Sequence, residues 1–378
     1  MKRAVCVVLL LSLLSGLLAA APAGSAELTV AAPSAVLMEK ETGAVLYDKN
    51  ALDTGFPASI TKIMTMLLIV EAIENGVLSP DDTVTASERA ASFGGSCVYL
   101  EPGERMSVRE MLKCIAVVSA NDCAVAMAEH LCGSEEVFVR RMNERARELG
   151  LEHTHFTNCT GLFDDGEHFT CALDVARMSR ELIGHESIKE YTTIWMDSIR
   201  GGDFELVNTN KLVSRYPGCT GLKTGYTSTA RYCLAATAER AGVEYIAVVM
   251  HCDTAESRNR DAEALLNYAF AGFRLIPLQG EGQTLPALPV ALGKRDTVAL
   301  RFDGPEKLLA RKGGEPSYAL SLPASVPAPV EEGARLGALR VTLGGEMLAE
   351  VPVIAAESVP HIGFGGLALR LAGSLVGL

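Results

Sequence analysis

The segment Pro57–Lys62 (PASITK), followed by an apolar run (IMTMLLIVEAIEN) that ends at Asn75, decides the fold around it. After Ser59 almost every position is apolar, and a helix that is apolar all round is buried on all sides. Gly76 is a natural C-terminal stop for such a helix. The segment therefore predicts a buried helix from Ser59 to Asn75.

Ser59 and Lys62 are three residues apart, which places both side chains on one face of that helix within hydrogen-bonding reach. Serine is a weak nucleophile and needs a base, and a buried lysine has a lowered pKa and can be that base. The helix dipole adds positive potential where an oxyanion would form. The alternative is an N-cap serine with a surface lysine, which is disfavoured because this helix has no polar face.

The chain around this helix alternates between helical and strand patterns. Residues 35–38 and 44–47 predict a β-hairpin, and a capping-box pattern at Ser107–Glu110 predicts a helix to about Val118. Further helices are predicted over 122–132, 135–149, 172–183 and 258–270, an antiparallel meander over 221–227, 231–238 and 243–252, and a loop over 151–171. These patterns predict an α/β (α+β) fold with an antiparallel sheet flanked by helices.

A chain of 378 residues suits two domains. Residues 27–276 form the first predicted domain. Pro277 marks a boundary, because residues 277–357 hold short apolar runs between glycines and prolines with almost no helical period. A hairpin is expected there around Gly344-Gly345. We predict a small all-β domain over residues 277–357.

The N-terminal segment indicates export, and the C-terminal segment indicates contact with a membrane surface. Lys2 and Arg3, an apolar run and small residues up to Ala26 predict a signal peptide over residues 1–26, with an uncleaved anchor helix as the alternative. Residues 358–378 place several apolar side chains on one face of a helix that is too short for a confident membrane span. This tail is interpreted as an amphipathic anchor on a membrane surface, or else as an unanchored tail.

Charge and cysteine content exclude some classes of protein. The formal net charge is −12 and becomes −14 when Lys2 and Arg3 leave with the signal peptide, which argues against a nucleic-acid partner. Nine of the ten cysteines remain in the mature chain, so they cannot all pair, and no Cys or His spacing indicates zinc. We interpret them as buried free thiols, which hints at a reducing or anoxic habitat.

Two further motifs carry polar chemistry. Ser119-Ala120-Asn121 lies between two predicted helices, where serine can relay a proton to a leaving amine and asparagine can bind a substrate amide. The alternative for this motif is an ordinary helix N-cap. Lys223-Thr224-Gly225 lies on a predicted strand, where lysine offers a fixed positive charge, threonine a hydroxyl donor, and glycine room for a substrate backbone.

The three motifs together, in this order on helix, helix junction and strand, are far more specific than any one alone. The chain resembles the D-alanyl-D-alanine carboxypeptidases of the low-molecular-mass penicillin-binding proteins, peptidase family S11, over about residues 30–357. The matching stretches are PASITK, SAND (119–122), GLKTGYT (221–227), FVRRMNERARELG (138–150) and residues 154–158. The resemblance implies a β-lactamase/transpeptidase-like catalytic domain followed by a β-domain.

The resemblance also implies a role for each matching residue. Ser59 would be the nucleophile, Lys62 its proton acceptor and Ser119 a second catalytic serine. The substrate-binding residues would be Asn121, Lys223, Thr224, Gly225, Tyr226 and Arg258. Some relatives have histidine where Tyr226 stands, and the backbone N–H groups of Ser59 and Tyr226 would form the oxyanion hole. The alternative for Arg258 is a surface helix arginine.

The implied substrate is a peptidoglycan stem peptide ending in D-Ala-D-Ala, with β-lactams as covalent inhibitors and no metal or cofactor. The expected place is the outer face of the cytoplasmic membrane. A β-lactamase is the nearest rival, but residues 122–222 lack the E-x-x-x-N pattern of its deacylating loop. A non-catalytic wall-binding protein is a second rival, and endopeptidase or transpeptidase activity stays open.

Overall fold

The computed structural model describes residues 28–278 and 285–376. The predicted signal peptide lies outside them. The helices are α1 (Lys62–Glu74), α2 (Glu88–Ala91), α3 (Val108–Val118), α4 (Asn121–Cys132), α5 (Glu135–Glu148), α6 (Ala172–Gly184), α7 (Lys189–Thr192), α8 (Leu212–Arg215), α9 (Ala255–Gly272) and α10 (Phe364–Val376).

The strands fall into two groups along the chain. Before α9 lie β1 (Ser34–Glu39), β2 (Val45–Lys49), β3 (Thr83–Thr85), β4 (Arg105–Ser107), β5 (Met196–Ile199), β6 (Phe204–Val207), β7 (Cys219–Thr227), β8 (Arg231–Arg240) and β9 (Val243–Cys252). After it lie β10 (Phe273–Pro277), β11 (Leu288–Ala291), β12 (Thr297–Val298), β13 (Leu300–Phe302), β14 (Lys307–Arg311), β15 (Pro316–Ser321), β16 (Val326–Pro327), β17 (Arg335–Leu343) and β18 (Glu346–Ala355).

A five-stranded antiparallel sheet of order β2-β1-β9-β8-β7 organises the described part of the first group. Successive side chains of a strand point to opposite faces. Val36 accordingly packs into the core that contains α1, while Ala35 and Leu37 pack into the core that contains α9. The sheet is covered on both faces, and the predicted α/β class with an antiparallel sheet between helices is confirmed.

The predicted helix after Pro57 is present, but it begins differently. A 3₁₀ turn occupies Ala58–Thr61, and α1 starts only at Lys62. Side chains three residues apart are eclipsed in 3₁₀ geometry, so this start still aligns Ser59 with Lys62. From Lys62 to Val70 every residue of α1 is buried, as the apolar pattern predicts.

Most other boundaries agree with the sequence patterns to within a few residues. The capping box of Ser107 and Glu110 is formed at the start of α3. Helix α9 begins three residues before its predicted start, because Thr254 and Ser257 form a capping box there. Residues 151–171 contain no helix or strand, only isolated bridges that involve Thr170 and Phe169.

The chain from β10 onward is built of strands until the last helix. Strands β13-β18-β17-β15 form a four-stranded sheet, with β17 and β18 joined at Gly344-Gly345 as the sequence predicts. Helix α10 then covers most of the predicted amphipathic tail. Within residues 28–278 and 285–376 there is no helix with the length and apolar character needed to cross a membrane.

Candidate active site

The side chains of Ser59 and Lys62 meet at the start of α1. The Lys62 Nζ atom lies 2.9 Å from Ser59 Oγ, 2.6 Å from Asn121 Oδ1 and 2.8 Å from the carbonyl oxygen of Thr160. Lys62 has no solvent-exposed surface, so the alternative of a surface lysine is wrong. Lys62 is thus buried beneath the partly exposed Ser59 and contacts a second motif residue, Asn121.

Burial sets the protonation of Lys62. It lowers the pKa of the amine from 10.5 to about 7, against the opposing effect of Cys159, Cys97 and Asp122. A neutral amine has two N–H donors and one lone pair. The oxygens of Asn121 and Thr160 can only accept, so they take both donors. The lone pair is then left for the Ser59 hydroxyl, which is the arrangement that a general base requires.

The turn that carries Ser59 is strained. Ala58 has a φ of +48° and no exposed surface, and a non-glycine residue in that region costs roughly 1–3 kcal/mol. The neighbouring loop packs directly on this turn at Gly161, where an added Cβ would lie 1.8 Å from the Ala58 carbonyl oxygen. The loop over residues 151–171 therefore supports the nucleophile.

Ser119 is not an ordinary helix N-cap. It ends α3 in the left-handed conformation, with φ of 65° and ψ of 33°, and its backbone N–H donates to the Cys114 carbonyl. Ala120 stands at the N-cap of α4 and makes no side-chain cap bond. In the part of the chain that the structure describes, the buried Ser119 Oγ has no hydrogen-bond partner, so this hydroxyl is left for a proton relay.

Asn121 already uses both ends of its amide within the described chain. Its Oδ1 accepts from Lys62, and its Nδ2 donates to the Gly94 carbonyl at 2.8 Å. Its backbone N–H donates to the Ser96 carbonyl at 2.7 Å. Asn121 therefore orients Lys62 in this structure, and any substrate contact would have to displace or add to these bonds.

Lys223 is buried, with 1% of its surface exposed, and its Nζ donates to the Thr224 carbonyl at 3.0 Å. Burial lowers its pKa well below 10.5, and the charges of Lys62 and Arg258 lower it further. The fixed positive charge expected at Lys223 stays a prediction, and burial works against it. A carboxylate placed beside Lys223 would favour the charged form.

Thr224 and Gly225 complete the motif on β7. The Thr224 hydroxyl donates to Thr209 Oγ1 at 2.8 Å. A Cβ on Gly225 would lie 2.8 Å from the Pro57 carbonyl oxygen and 3.2 Å from the Ile60 nitrogen. The glycine thus makes room for the turn that carries Ser59. The expectation that it also makes room for a substrate backbone stays a prediction.

Tyr226 and Arg258 differ sharply in exposure. Tyr226 is 57% exposed and stacks on Tyr232, with ring centroids 4.4 Å apart. Arg258 is only 6% exposed, and its Nε and Nη2 donate to Asn259 Oδ1 at 3.1 and 3.0 Å. The surface-arginine alternative is therefore wrong, and the charge of Arg258 lowers the pKa of Lys223.

The residues that sequence reasoning missed lie in the loop over 151–171. Thr160 supplies the carbonyl to Lys62, Gly161 packs on Ala58, and His168 contacts Thr61. The available signal was a Thr-Gly pair and a histidine in a segment rich in turn residues. Such residues are common in any surface loop, and their pairing with the nucleophile turn spans about a hundred positions.

One group of side chains in the described chain has metal-ligand atoms within 4.8 Å of one another, namely Glu71, Glu181 and His185. Arg145 donates to both carboxylates, at 2.8 Å to Glu71 and 2.5 Å to Glu181. These acids are therefore already balanced by a cation, and the group is an ion-pair network. It includes none of the motif residues.

Comparison with known proteins agrees with this geometry. Residues 20–254 match the family model Peptidase_S11, D-alanyl-D-alanine carboxypeptidase, and residues 273–361 match the model of the penicillin-binding protein 5 C-terminal domain. The chain is 45% identical to D-alanyl-D-alanine carboxypeptidase DacF of Bacillus subtilis, over 90% of this chain and 89% of that protein. It is 32% identical to DacC of Escherichia coli, with the same coverage.

Solved structures give the same result. Penicillin-binding protein 5 of Haemophilus influenzae superimposes with a TM-score of 0.80 at 28% identity, over 88% of this chain and 98% of that one. Penicillin-binding protein D2 of Listeria monocytogenes, solved in an ampicillin-bound form, matches 64% of this chain and 99% of its own at 33% identity, with a TM-score of 0.59. The chain therefore belongs to the peptidase family S11 of D-alanyl-D-alanine carboxypeptidases.

Proposed function

We propose that this chain removes the terminal D-alanine from peptidoglycan stem pentapeptides through an acyl-enzyme on Ser59. One observation carries the proposal: a buried Lys62 amine, with its pKa near 7, lies 2.9 Å from the Ser59 hydroxyl. Membership of a family of D-alanyl-D-alanine carboxypeptidases supplies the substrate class.

The acylation step follows from that contact. Lys62 takes the hydroxyl proton as Ser59 Oγ attacks the carbonyl carbon of the penultimate D-Ala, so that a C–O bond forms. The C–N bond to the terminal D-Ala then breaks, and its amine receives a proton through Ser119, whose hydroxyl has no other partner in the described chain. Water then attacks the ester, giving the shortened peptide and regenerating the serine.

The remaining motif residues would bind the substrate. The terminal carboxylate would bind Lys223, Thr224 and Arg258, since Lys223 and Arg258 are both buried, Arg258 lowers the pKa of Lys223, and an anion beside them would favour the charged form of the lysine. Asn121 would orient the substrate amide. The backbone N–H groups of Ser59 and Tyr226 would form the oxyanion hole.

β-Lactams would acylate Ser59 as mimics of the D-Ala-D-Ala end, as the ampicillin-bound relative indicates for its own chain. Slow release of the adduct is expected, because the loop that reaches Lys62 offers the Thr160 carbonyl at 2.8 Å rather than a glutamate. Penicillin turnover as fast as peptide turnover would favour a β-lactamase. Absence of any covalent adduct would favour a non-catalytic wall-binding protein.

The location would be outside the cytoplasm, on the outer face of the membrane. The predicted signal peptide over residues 1–26 provides export. Helix α10 would provide surface attachment, because Phe364 is 91% exposed and Leu369 is 76% exposed, which leaves large apolar side chains for a lipid surface.

Mass analysis of a stem pentapeptide after incubation tests the activity. Loss of one D-Ala by the wild type, and none by Ser59→Ala, is the expected result. Cleavage of cross-linked dimeric peptides without loss of D-Ala from the pentapeptide would replace the proposal with an endopeptidase. Loss of D-Ala that persists in Ser59→Ala would refute the assigned nucleophile.

A further inference from the structure

A chain of hydrogen bonds runs from the loop over 151–171 to the residue just before the nucleophile. The Thr61 hydroxyl lies 2.8 Å from the Ala58 carbonyl oxygen and 2.7 Å from His168 Nε2. The backbone N–H of Thr157 donates to His168 Nδ1 at 3.0 Å. Thr61 and His168 are both fully buried.

The direction of each bond in this chain is fixed by chemistry. A carbonyl oxygen only accepts, so the Thr61 hydroxyl donates to Ala58 and must accept from His168. A backbone N–H only donates, so His168 Nδ1 carries a lone pair. Both conditions select the neutral histidine with its proton on Nε2. Burial agrees with this state, since it lowers the pKa of His168 to about 4.

The carbonyl held by this chain belongs to a strained residue. Ala58 has a φ of +48° and immediately precedes Ser59. An alanine leaves this conformation unless its surroundings hold it there. The Thr61 hydroxyl donates to the carbonyl, and Gly161 packs against both the carbonyl and that hydroxyl. The same loop presents the Thr160 carbonyl to Lys62. One loop therefore positions both the base and the turn that carries the nucleophile.

We propose that His168 and Thr61 are positioning residues that hold the Ala58 carbonyl and thereby aim Ser59 Oγ at Lys62. This inference rests on the proposed function, because it acts through acylation of Ser59. A buried histidine that only fills space would contribute to folding, and its effect would not depend on whether the replacement side chain donates or accepts a hydrogen bond. The two bonds of His168 can be removed separately, which distinguishes these roles.

Two matched pairs of variants test the proposal. His168→Gln keeps an amide N–H near the position of Nε2, whereas His168→Asn keeps an acceptor near Nδ1 and loses the donor to Thr61. Thr61→Ser keeps the hydroxyl, whereas Thr61→Val removes it at equal volume. The measurements are the rate constant for Ser59 acylation by a fluorescent penicillin, the dissociation constant of the non-covalent complex, and unfolding in urea.

His168→Asn and Thr61→Val should each slow acylation by about tenfold or more, the effect of losing one buried hydrogen bond, with unchanged non-covalent binding. His168→Gln and Thr61→Ser should stay within about threefold of the wild type. The double variant of His168→Asn and Thr61→Val should lose little beyond either single variant, because both break one chain. If His168→Asn fails to fold, the comparison of Thr61→Ser with Thr61→Val tests the proposal by itself.

Wild-type acylation rates in Thr61→Val would overturn the proposal. An equal loss of acylation rate in His168→Gln and His168→Asn would also overturn it, because the lost packing of the histidine ring would then explain both results. A wild type that is not labelled at all would instead refute the proposed function of Ser59. The failures of the two proposals are therefore distinguishable in one set of measurements.

Discussion

Acylation of Ser59 by a fluorescent penicillin should depend on pH through Lys62. The base must be neutral to accept the serine proton, and burial lowers its pKa from 10.5 to about 7. Lowering the pH through 7 therefore protonates the base and slows acylation. Raising the pH above 7 makes almost all of the base neutral, and the contribution of Lys62 to the rate should level off.

The size of the effect follows from the same pKa. With a pKa of about 7, roughly half of Lys62 is neutral at pH 7 and about 1% at pH 5, so the rate should fall about tenfold for each unit below pH 6. A lysine with the ordinary value of 10.5 would be neutral in only about one molecule in 3,000 at pH 7. Burial of Lys62 thus makes the neutral fraction of this base at pH 7 more than a thousandfold larger than that of a solvated lysine.

The assay is quenched labelling at a series of pH values from 5 to 9, analysed as initial rates at penicillin concentrations far below saturation. Burial also lowers the pKa of Lys223, which must be charged to bind a carboxylate, so a decline of the rate with rising pH is assigned to loss of its proton. Lys223→Arg should move that decline to higher pH and leave the rise near 7 in place. Lys62→Arg should not be labelled at any of these pH values, because a guanidinium keeps its proton.

A rate that does not change between pH 5 and 7 would refute this reasoning. A rise with its midpoint near 10 would also refute it, because Lys62 would then titrate like a solvated lysine. Labelling of Lys62→Arg at the wild-type rate would show that another group accepts the proton from Ser59.

Three further predictions concern the turn, the carboxylate site and the tail. Gly225→Ala should lower the free energy of unfolding by about 1–3 kcal/mol and slow acylation, because its Cβ would lie 2.8 Å from the Pro57 carbonyl oxygen. Gly184→Ala, with no atom within 4 Å, is its control, and equal effects in urea unfolding would contradict the expected clash. Lys223→Ala should lower kcat/KM for pentapeptides about 10- to 100-fold, mainly through KM. A peptide amide that lacks the terminal carboxylate should react equally with both proteins, and an equal loss on this amide would exclude carboxylate binding. Deletion of residues 364–378 should abolish sedimentation with anionic vesicles and leave peptide hydrolysis unchanged, and continued sedimentation would exclude α10 as the anchor.

Sequence patterns predicted the fold well where hydrophobic periodicity decides it. The all-apolar segment after Ser59 became the buried α1, and the meander from Cys219 to Cys252 became one side of the main sheet. Helix beginnings were less predictable, because local caps and strain set them. Neither the 3₁₀ turn at Ser59 nor the capping box of Thr254 and Ser257 has a strong apolar signature.

The sequence identified the motif side chains of the site but few of the contacts that they make. The spacing of Ser59 and Lys62 predicted their hydrogen bond, since both lie on one short turn. It could not predict that Gly225 packs on that turn, or that the pKa of Lys223 is lowered, because both follow from tertiary burial. The contribution of Thr160 and His168 depends on a loop that has no periodic pattern at all.

The neutral amine of Lys62 also has a consequence for the stability of the protein as a whole. The unfolded chain binds a proton at this lysine up to pH 10.5, whereas the folded chain releases it above about 7, so stability from this group increases as pH rises across that window. The free energy of unfolding is therefore about 5 kcal/mol lower below pH 7 than above pH 10.5 on account of this amine, at about 1.4 kcal/mol for each pKa unit. That is comparable to the whole net stability of many domains, about 5–15 kcal/mol. The rest of the fold must therefore contribute enough stability to offset the burial of this base. An inactive relative that replaced this lysine with an apolar residue could tolerate a weaker core.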